Sequence, residues 1–286
     1  MKKYRIACVL AVCTLFFSAC STDSPQDGST TQNITNTHTT TATTTQPNTT
    51  PFTPVYFTED YFETRQFHDD ATKQTIEYLF HQPLRHSNEL MPLVIFLHGK
   101  GDSVTAASPG TATPIVQSLM TLENESHQYS TYTLVPSTPL AYEGNWTDSQ
   151  VTAFKALLHD VIGQYNIDAE RIYLSGISMG GFMTCRLVRE MPSTFAAAVP
   201  LSGAENLTTP LDSYHTAFRI YHVATDPVVG VSSSRSLYRQ LQNAKHPNVK
   251  YVEYPDGDHI SPLYTVFYSD REEFFGWLFS QRRHNR

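Results

Sequence analysis

The sequence predicts an α/β fold in which a mostly parallel sheet is covered by helices on both faces. Short apolar segments alternate with amphipathic ones from about residue 55 onwards, and this alternation is typical of a parallel sheet between helical layers. Several of the apolar segments are continuous, as expected for strands buried on both faces. A chain of 286 residues that is 40% hydrophobic is long enough to bury such a core.

Eight segments are predicted strands and four are predicted helices. The strands are residues 62–67, 74–80, 92–97, 132–135, 172–174, 195–199, 219–223 and 249–253. The helices, with apolar residues at helical spacing, are residues 149–165, 181–190, 232–243 and 270–281. We expect the first two strands to pair with each other. No stretch is long enough for a sizeable lid, so we expect a domain that is open above the sheet.

The amino-terminal residues have the composition of an export signal. Basic residues within the first five positions precede an apolar run over residues 6–17 and two small residues. This run is shorter than the roughly 20 apolar residues that span a bilayer. The segment from Phe17 to Cys20 resembles a bacterial lipobox, which implies that Cys20 is the site of lipid attachment. The alternative is an ordinary secretory signal in which Cys20 is incidental.

The next segment is predicted to be a flexible tether. Residues 20–54 are rich in Thr, Ser, Asn, Gln and Pro and cannot bury enough apolar surface to fold. We therefore expect three parts: a lipoprotein-type signal peptide (1–19), the tether (20–54) and a catalytic domain (55–286). The domain would be exported and held at the membrane through lipidated Cys20, on the periplasmic or extracellular side.

Composition excludes some functions. The formal net charge is −7, and the first 19 residues hold three of the 20 basic side chains and no acid. So acidic a chain is not expected to bind nucleic acid, because phosphate contacts need clustered Lys and Arg. No His or Cys pair stands at zinc-ligand spacing on one element, so we predict no metal and no cofactor. We expect a monomer.

The pentapeptide Gly176-Ile177-Ser178-Met179-Gly180 contains the candidate nucleophile, Ser178. Alone, the pattern G-x-S-x-G arises by chance in roughly one chain in ten of this length. Here a predicted strand precedes it and a predicted helix follows it, which is the arrangement of a nucleophile elbow. A structural serine in a glycine-rich turn is the alternative.

A serine nucleophile needs a base, and the base needs an orienting carboxylate. In this arrangement the chain order is Ser, then acid, then His. Asp226 follows the strand at 219–223, and His259 follows the strand at 249–253. Asp212 and His215 are rival candidates, but one lies in a polar segment and the other precedes Asp226. Three further histidines are expected to be structural, in a helix, a strand and a turn: His159, His222 and His246.

Two main-chain N–H groups are predicted to form an oxyanion hole. One is that of Met179, directly after the candidate nucleophile. The other is that of Lys100, which lies between two glycines in the loop that follows the strand at 92–97. Removing one such donor typically slows acyl transfer about 10²- to 10³-fold. His98, in the same loop, is expected to hydrogen-bond within it.

Several stretches together resemble the phospholipase/carboxylesterase branch of the α/β-hydrolases, related to dienelactone hydrolase and to secreted polyester or feruloyl esterases. They are residues 93–102, 171–182, 195–200, 226–229 and 251–283. The resemblance implies the α/β-hydrolase fold and a triad of Ser178, Asp226 and His259. It also implies that Trp146 lines the substrate pocket, and His98 is predicted to line the same pocket. The chain departs from the family pattern at Val223, where a glycine is common after His222, and at Asp258, which precedes the base.

These features predict a serine hydrolase that cleaves carboxylic esters through an acyl-enzyme, with a small-molecule or polymer-linked ester as substrate. A serine peptidase or thioesterase with the same triad is the first alternative. Peptidases of related fold usually carry an extra domain, for which this chain has no room. A catalytically silent, membrane-anchored binding lipoprotein is the second alternative.

Overall fold

The computed structural model describes residues 61–84, 88–102, 104, 109–126, 129–137, 146–208, 211 and 214–283. These residues belong to one compact unit that spans residues 51–286. The predicted signal peptide, Cys20 and the tether lie outside the described residues and stay predictions, as do the domain boundaries. In the described part of the chain, no helix is long and apolar enough to cross a membrane.

The described residues form a sheet of eight strands in the order β1-β2-β4-β3-β5-β6-β7-β8. They are β1 (Glu63–Asp69), β2 (Gln74–His81), β3 (Met91–Leu97), β4 (Tyr132–Ser137), β5 (Ile167–Ile177), β6 (Ala197–Leu201), β7 (Ala217–Val223) and β8 (Val249–Tyr254). Strand β2 is antiparallel to β1 and β4, and every other neighbouring pair is parallel. The predicted α/β-hydrolase fold is confirmed.

Helices cover both faces of the sheet. They are α1 (Thr113–Ser126), α2 (Asp148–Gln164), α3 (Met179–Glu190), α4 (Ser232–Asn243), α5 (Ser261–Tyr264) and α6 (Arg271–Ser280), with a π-helical turn (Thr265–Ser269) before α6. Helices α2, α3 and α4 contribute to one apolar core, and α1, α5 and α6 to the other. Because successive strand residues face opposite sides, Leu93 and Ile95 join the first core and Val94 and Phe96 the second. The continuous apolar run of β3 is thus buried on both faces.

The structure differs from the sequence prediction at several elements: α5 was not predicted, and β5 spans Ile167–Ile177 rather than residues 172–174. Helix α1 was not predicted, although Ile115, Val116, Leu119 and Met120 lie at helical spacing and are all buried. Strand β6 begins at Ala197 rather than at residue 195. The side chain of Phe195 is buried before the strand starts, and its carbonyl accepts a hydrogen bond from the Thr216 hydroxyl.

Parallel strands bring four polar loops to one edge of the sheet. Strands β3, β5, β7 and β8 run in the same direction, so their carboxyl ends lie at the same edge. They are followed by His98, Ser178, Asp226 and His259 respectively. Ligands of open α/β sheets bind at this edge, which makes it the candidate site.

Candidate active site

Ser178 occupies a strained turn between β5 and α3. Its backbone has φ 56° and ψ −118°, a conformation that costs a non-glycine residue about 1–3 kcal/mol and persists only where the surroundings impose it. The Ser178 N–H donates to the carbonyl of Leu201 at 2.8 Å, which ties the turn to the end of β6. The residue is half-buried. A tight strand–turn–helix of this kind lifts the serine hydroxyl away from the sheet.

Glycines are required around this turn because backbone approaches them closely. A Cβ at Gly176 would lie 2.4 Å from the carbonyl oxygen of Gly180, and a Cβ at Gly180 would lie 2.0 Å from that of Leu97. A Cβ at Gly203 would lie 2.5 Å from the carbonyl oxygen of Ser178. The elbow is therefore packed against the ends of β3 and β6, which hold its strained conformation.

Asp226 and His259 are in direct contact. Nδ1 of His259 donates to Oδ2 of Asp226 at 2.7 Å, since a carboxylate can only accept. Within the described residues, Nε2 of His259 has no hydrogen-bond partner. With the proton on Nδ1, Nε2 of a neutral ring is left as the basic nitrogen, which is the tautomer that a general base for serine needs.

The carboxylate of Asp226 is fully buried, and hydrogen bonds from the protein replace its contacts with water. Its Oδ1 accepts from the N–H groups of Val228 at 2.8 Å and Val229 at 3.0 Å. Burial raises the pKa of Asp226, but the hydrogen bonds from His259, Val229 and Val228 outweigh burial and hold the pKa below its ordinary value of 3.8. Asp226 is therefore ionised at neutral pH.

A second histidine approaches the same carboxylate. His222, on β7, is fully buried, and its Nε2 lies 3.1 Å from Oδ2 of Asp226 and 3.0 Å from the carbonyl oxygen of Val229. Its Nδ1 lies 2.8 Å from the hydroxyl of Ser234 on α4. The prediction that His222 is structural did not foresee this contact with Asp226.

The loop that follows β3 lies beside Ser178. A Cβ at Gly99 would lie 3.9 Å from the Cβ of Ser178. The Gly99 N–H donates to the hydroxyl of Thr111 at 3.1 Å, and that hydroxyl donates in turn to Asp102. The Gly99 N–H is thus already engaged, so the next main-chain donor along the loop is that of Lys100. The predicted oxyanion role of Lys100 is compatible with this loop; that role and the role of Met179, the first residue of α3, stay predictions.

The two predicted pocket residues are both buried. His98 is fully buried and its Nδ1 donates to the carbonyl of Gly99 at 2.7 Å, so it holds the loop as expected. Burial lowers the pKa of His98. Trp146 is 7% exposed and packs edge-on against Phe154 of α2. Whether either side chain contacts substrate stays a prediction.

The rival acids and bases lie elsewhere or are otherwise engaged. His159 is exposed on α2, and His246 binds the carbonyl of Tyr214 near the amino end of β7. His215 is also exposed, two residues before β7 begins. Asp212 lies outside the described residues.

The carboxylate of Asp258 bonds the residues that follow His259 rather than the His259 ring. It accepts from the N–H of Ile260 at 3.1 Å and from the hydroxyl of Ser261 at 2.7 Å, at the start of α5. The bond from Ser261 holds the pKa of Asp258 below its ordinary value. Asp258 therefore fixes the loop that carries His259, while among the described residues Asp226 is the hydrogen-bond partner of the ring. Among the described residues, no three His, Cys, Asp or Glu side chains are grouped to hold a metal ion.

The mostly parallel sheet, together with the loops at its carboxyl edge that carry Ser178, Asp226 and His259, defines an α/β-hydrolase. Residues 84–266 match the model of the phospholipase/carboxylesterase family, which is well over half of the chain. The chain belongs to that family, and the predicted resemblance is confirmed.

Similar proteins include several esterases. A bifunctional acetylxylan esterase/xylanase from Neocallimastix patriciarum is 30% identical over 88 residues, which are 29% of this chain and 12% of that protein. A thermostable esterase of known structure is 26% identical with a TM-score of 0.66, over 78% of this chain and 64% of that one. A ferulic acid esterase shares the fold at 14% identity, with a TM-score of 0.61, over 76% of this chain and 97% of that one. The chain thus spans a small part of the acetylxylan esterase/xylanase.

Two contacts at the site were missed from the sequence. His222 lies four positions before Asp226, and a histidine at the end of a strand directly before the acid loop could have been considered as its partner. Thr111 has no sequence signal, because its contacts with Gly99 and Asp102 depend on how two loops meet.

Proposed function

We propose that the protein is a serine hydrolase that cleaves carboxylic esters. Ser178 is the nucleophile, His259 the general base and Asp226 the carboxylate that orients the base. The observation that carries the proposal is the bond from His259 to Asp226, at the sheet edge where the strained turn carries Ser178. Family membership and the likeness to a thermostable esterase support ester hydrolysis as the reaction.

In this mechanism His259 Nε2 takes the proton of the Ser178 hydroxyl as its oxygen attacks the ester carbonyl. Asp226 stabilises the imidazolium that forms. The N–H groups of Met179 and Lys100 donate to the oxyanion, and the imidazolium then protonates the leaving alcohol. Water, activated by His259, releases the acid from the acyl-enzyme.

Exposed apolar side chains next to the triad favour esters with an apolar portion. Val228 is 68% exposed and stands two residues after Asp226, and Ile260 is 37% exposed and follows His259. Burying such groups against an acyl or alkoxy chain stabilises the complex by about 25 cal/mol per Å².

The test is a panel of p-nitrophenyl esters of increasing acyl length, acetylated and feruloylated sugars, an acyl thioester and a peptide anilide. The full chain is compared with Ser178→Ala. The proposal expects ester turnover that Ser178→Ala abolishes, with KM falling as the acyl chain lengthens. Faster cleavage of the thioester or anilide would favour the alternative acyl transfers, and turnover in Ser178→Ala would contradict the proposal.

We also propose that the enzyme is exported and anchored through a lipid on Cys20. The support is the signal-like sequence at residues 1–19 and the polar segment that follows it. In cells fed an alkyne fatty acid, the protein should become labelled and remain with membranes. Cys20→Ser should lose both properties, while Cys13→Ser, a change within the apolar run, should keep them. Equal labelling of the two variants would contradict the anchor.

A further inference from the structure

Two histidines approach the carboxylate of Asp226, and they differ in exposure and in partners. His259 is 14% exposed at its side chain, whereas His222 and Asp226 are fully buried. Nδ1 of His259, on the loop after β8, lies 2.7 Å from Oδ2, and Nε2 of His222, on β7, lies 3.1 Å from the same oxygen.

The tautomer of His222 follows from its partners. Nε2 lies between two groups that can only accept, the Val229 carbonyl and the Asp226 carboxylate, so Nε2 carries a proton. In the neutral ring Nδ1 is then an acceptor, and the hydroxyl of Ser234 is placed to donate to it at 2.8 Å. Ser234 is itself fully buried. A directed chain of hydrogen bonds therefore runs from α4 through β7 to Val229, in the loop that carries Asp226.

This chain holds the loop that carries the carboxylate. The Nε2–H of His222 donates to the carbonyl of Val229 at 3.0 Å, which ties the loop of residues 226–229 to β7. Asp226 accepts two main-chain N–H groups at Oδ1 and the His259 N–H at Oδ2, and Nε2 of His222 lies 3.1 Å from the same Oδ2. Hydrogen bonds to the ionised form disfavour protonation of the carboxylate.

Resting on the proposed function, we infer that His222 is a positioning residue for the reaction: it orients Asp226 towards His259 and keeps the transferred proton on His259, with Ser234 setting its tautomer. His222 does not touch the substrate. Its loss should therefore lower kcat and leave KM unchanged. Removing the donor to a buried acceptor, here the Val229 carbonyl, accounts for about a 10- to 100-fold change.

The experiment measures kcat, KM and melting temperature with p-nitrophenyl acetate for the full chain and three variants. His222→Leu removes the donor at similar size, and His222→Gln restores an N–H near the position of Nε2. His246→Leu is the matched control, because His246 is also buried and bonds a main-chain carbonyl, near the opposite end of β7. We expect kcat about 10- to 100-fold lower in His222→Leu with KM within twofold, substantial recovery in His222→Gln, and wild-type kcat in His246→Leu.

Three results would overturn the inference: wild-type kcat in His222→Leu, equal loss in the Leu and Gln variants, or the same loss in His246→Leu. If His222→Leu does not fold, the Ser234→Ala variant tests the inference instead. That variant should lower kcat several-fold at constant KM, and an unchanged kcat would overturn the inference. A wild-type chain without esterase activity overturns the proposed function together with this inference, whereas wild-type kcat in His222→Leu overturns the inference alone.

Discussion

Nδ1 of His259 lies 2.7 Å from Oδ2 of Asp226, although 33 positions separate the two residues in the chain. The parallel strands β7 and β8 are neighbours in the sheet, so the loops that follow them meet at one edge. Adjacent strands, rather than sequence proximity, therefore decide which acid serves the base.

Replacing Asp226 should have a far larger effect than replacing Asp258. In Asp226→Asn the amide can donate to Nδ1 of His259, which leaves the proton on Nε2 and blocks general-base action. We expect kcat to fall about 10³- to 10⁴-fold. Asp258→Asn is the control, because Asp258 bonds Ile260 and Ser261 instead of the ring, and its kcat should change only a few-fold. Similar losses in the two variants would show that the wrong acid has been assigned.

The lowered pKa of Asp226 also predicts how stability changes with pH. A carboxylate whose pKa is lower in the folded than in the unfolded state stabilises the fold above the ordinary pKa of 3.8, and this contribution is lost as the pH falls through the lowered value. The difference in free energy of unfolding between wild type and Asp226→Asn should therefore shrink below about pH 4. Urea unfolding of both proteins between pH 6 and pH 3 measures it. A difference that stays constant over this range would contradict the assigned direction.

The Thr111 hydroxyl should matter for the loop that carries the Lys100 N–H. Thr111→Val keeps the shape of the side chain but removes the acceptor for Gly99 N–H and the donor to Asp102. We expect kcat to fall about tenfold, because a loosened loop misplaces one oxyanion donor. Thr121→Val on α1 is the control, since that buried hydroxyl bonds the carbonyl of Gln117 within its own helix. Unchanged kcat in Thr111→Val would exclude the loop contact from catalysis.

Two glycine-to-alanine changes should have opposite effects on stability. At Gly180 the new Cβ would lie 2.0 Å from the carbonyl oxygen of Leu97, whereas at Gly163, near the end of α2, it would meet nothing within 4 Å. Gly180→Ala should lower the free energy of unfolding by about 3 kcal/mol or more. Gly163→Ala should raise it by up to about 1 kcal/mol, because alanine favours helix. Urea denaturation compares the two, and a tolerated Gly180→Ala would contradict the described packing of the elbow.

Much of this architecture could be predicted from local patterns. The apolar run of β3 and the glycine pattern around Ser178 are local signals, and the order of Ser178, Asp226 and His259 follows the order of the strands. Helix α1 was missed although its apolar spacing was visible. The contact of His222 with Asp226 was missed for a different reason. It requires the loop after β7 to fold back against that strand, and no local sequence pattern predicts where a loop folds back.

The central claim, that Ser178 is the nucleophile, is tested most directly by covalent labelling with a fluorophosphonate. Peptide mass spectrometry locates the adduct in the wild type, in Ser178→Ala and in Ser175→Ala, whose hydroxyl is buried in β5 against the carbonyl of Val199. If Ser178 is the nucleophile, one adduct, on Ser178, forms in the wild type and in Ser175→Ala, and none forms in Ser178→Ala. An adduct on another residue, or undiminished labelling of Ser178→Ala, would contradict this assignment.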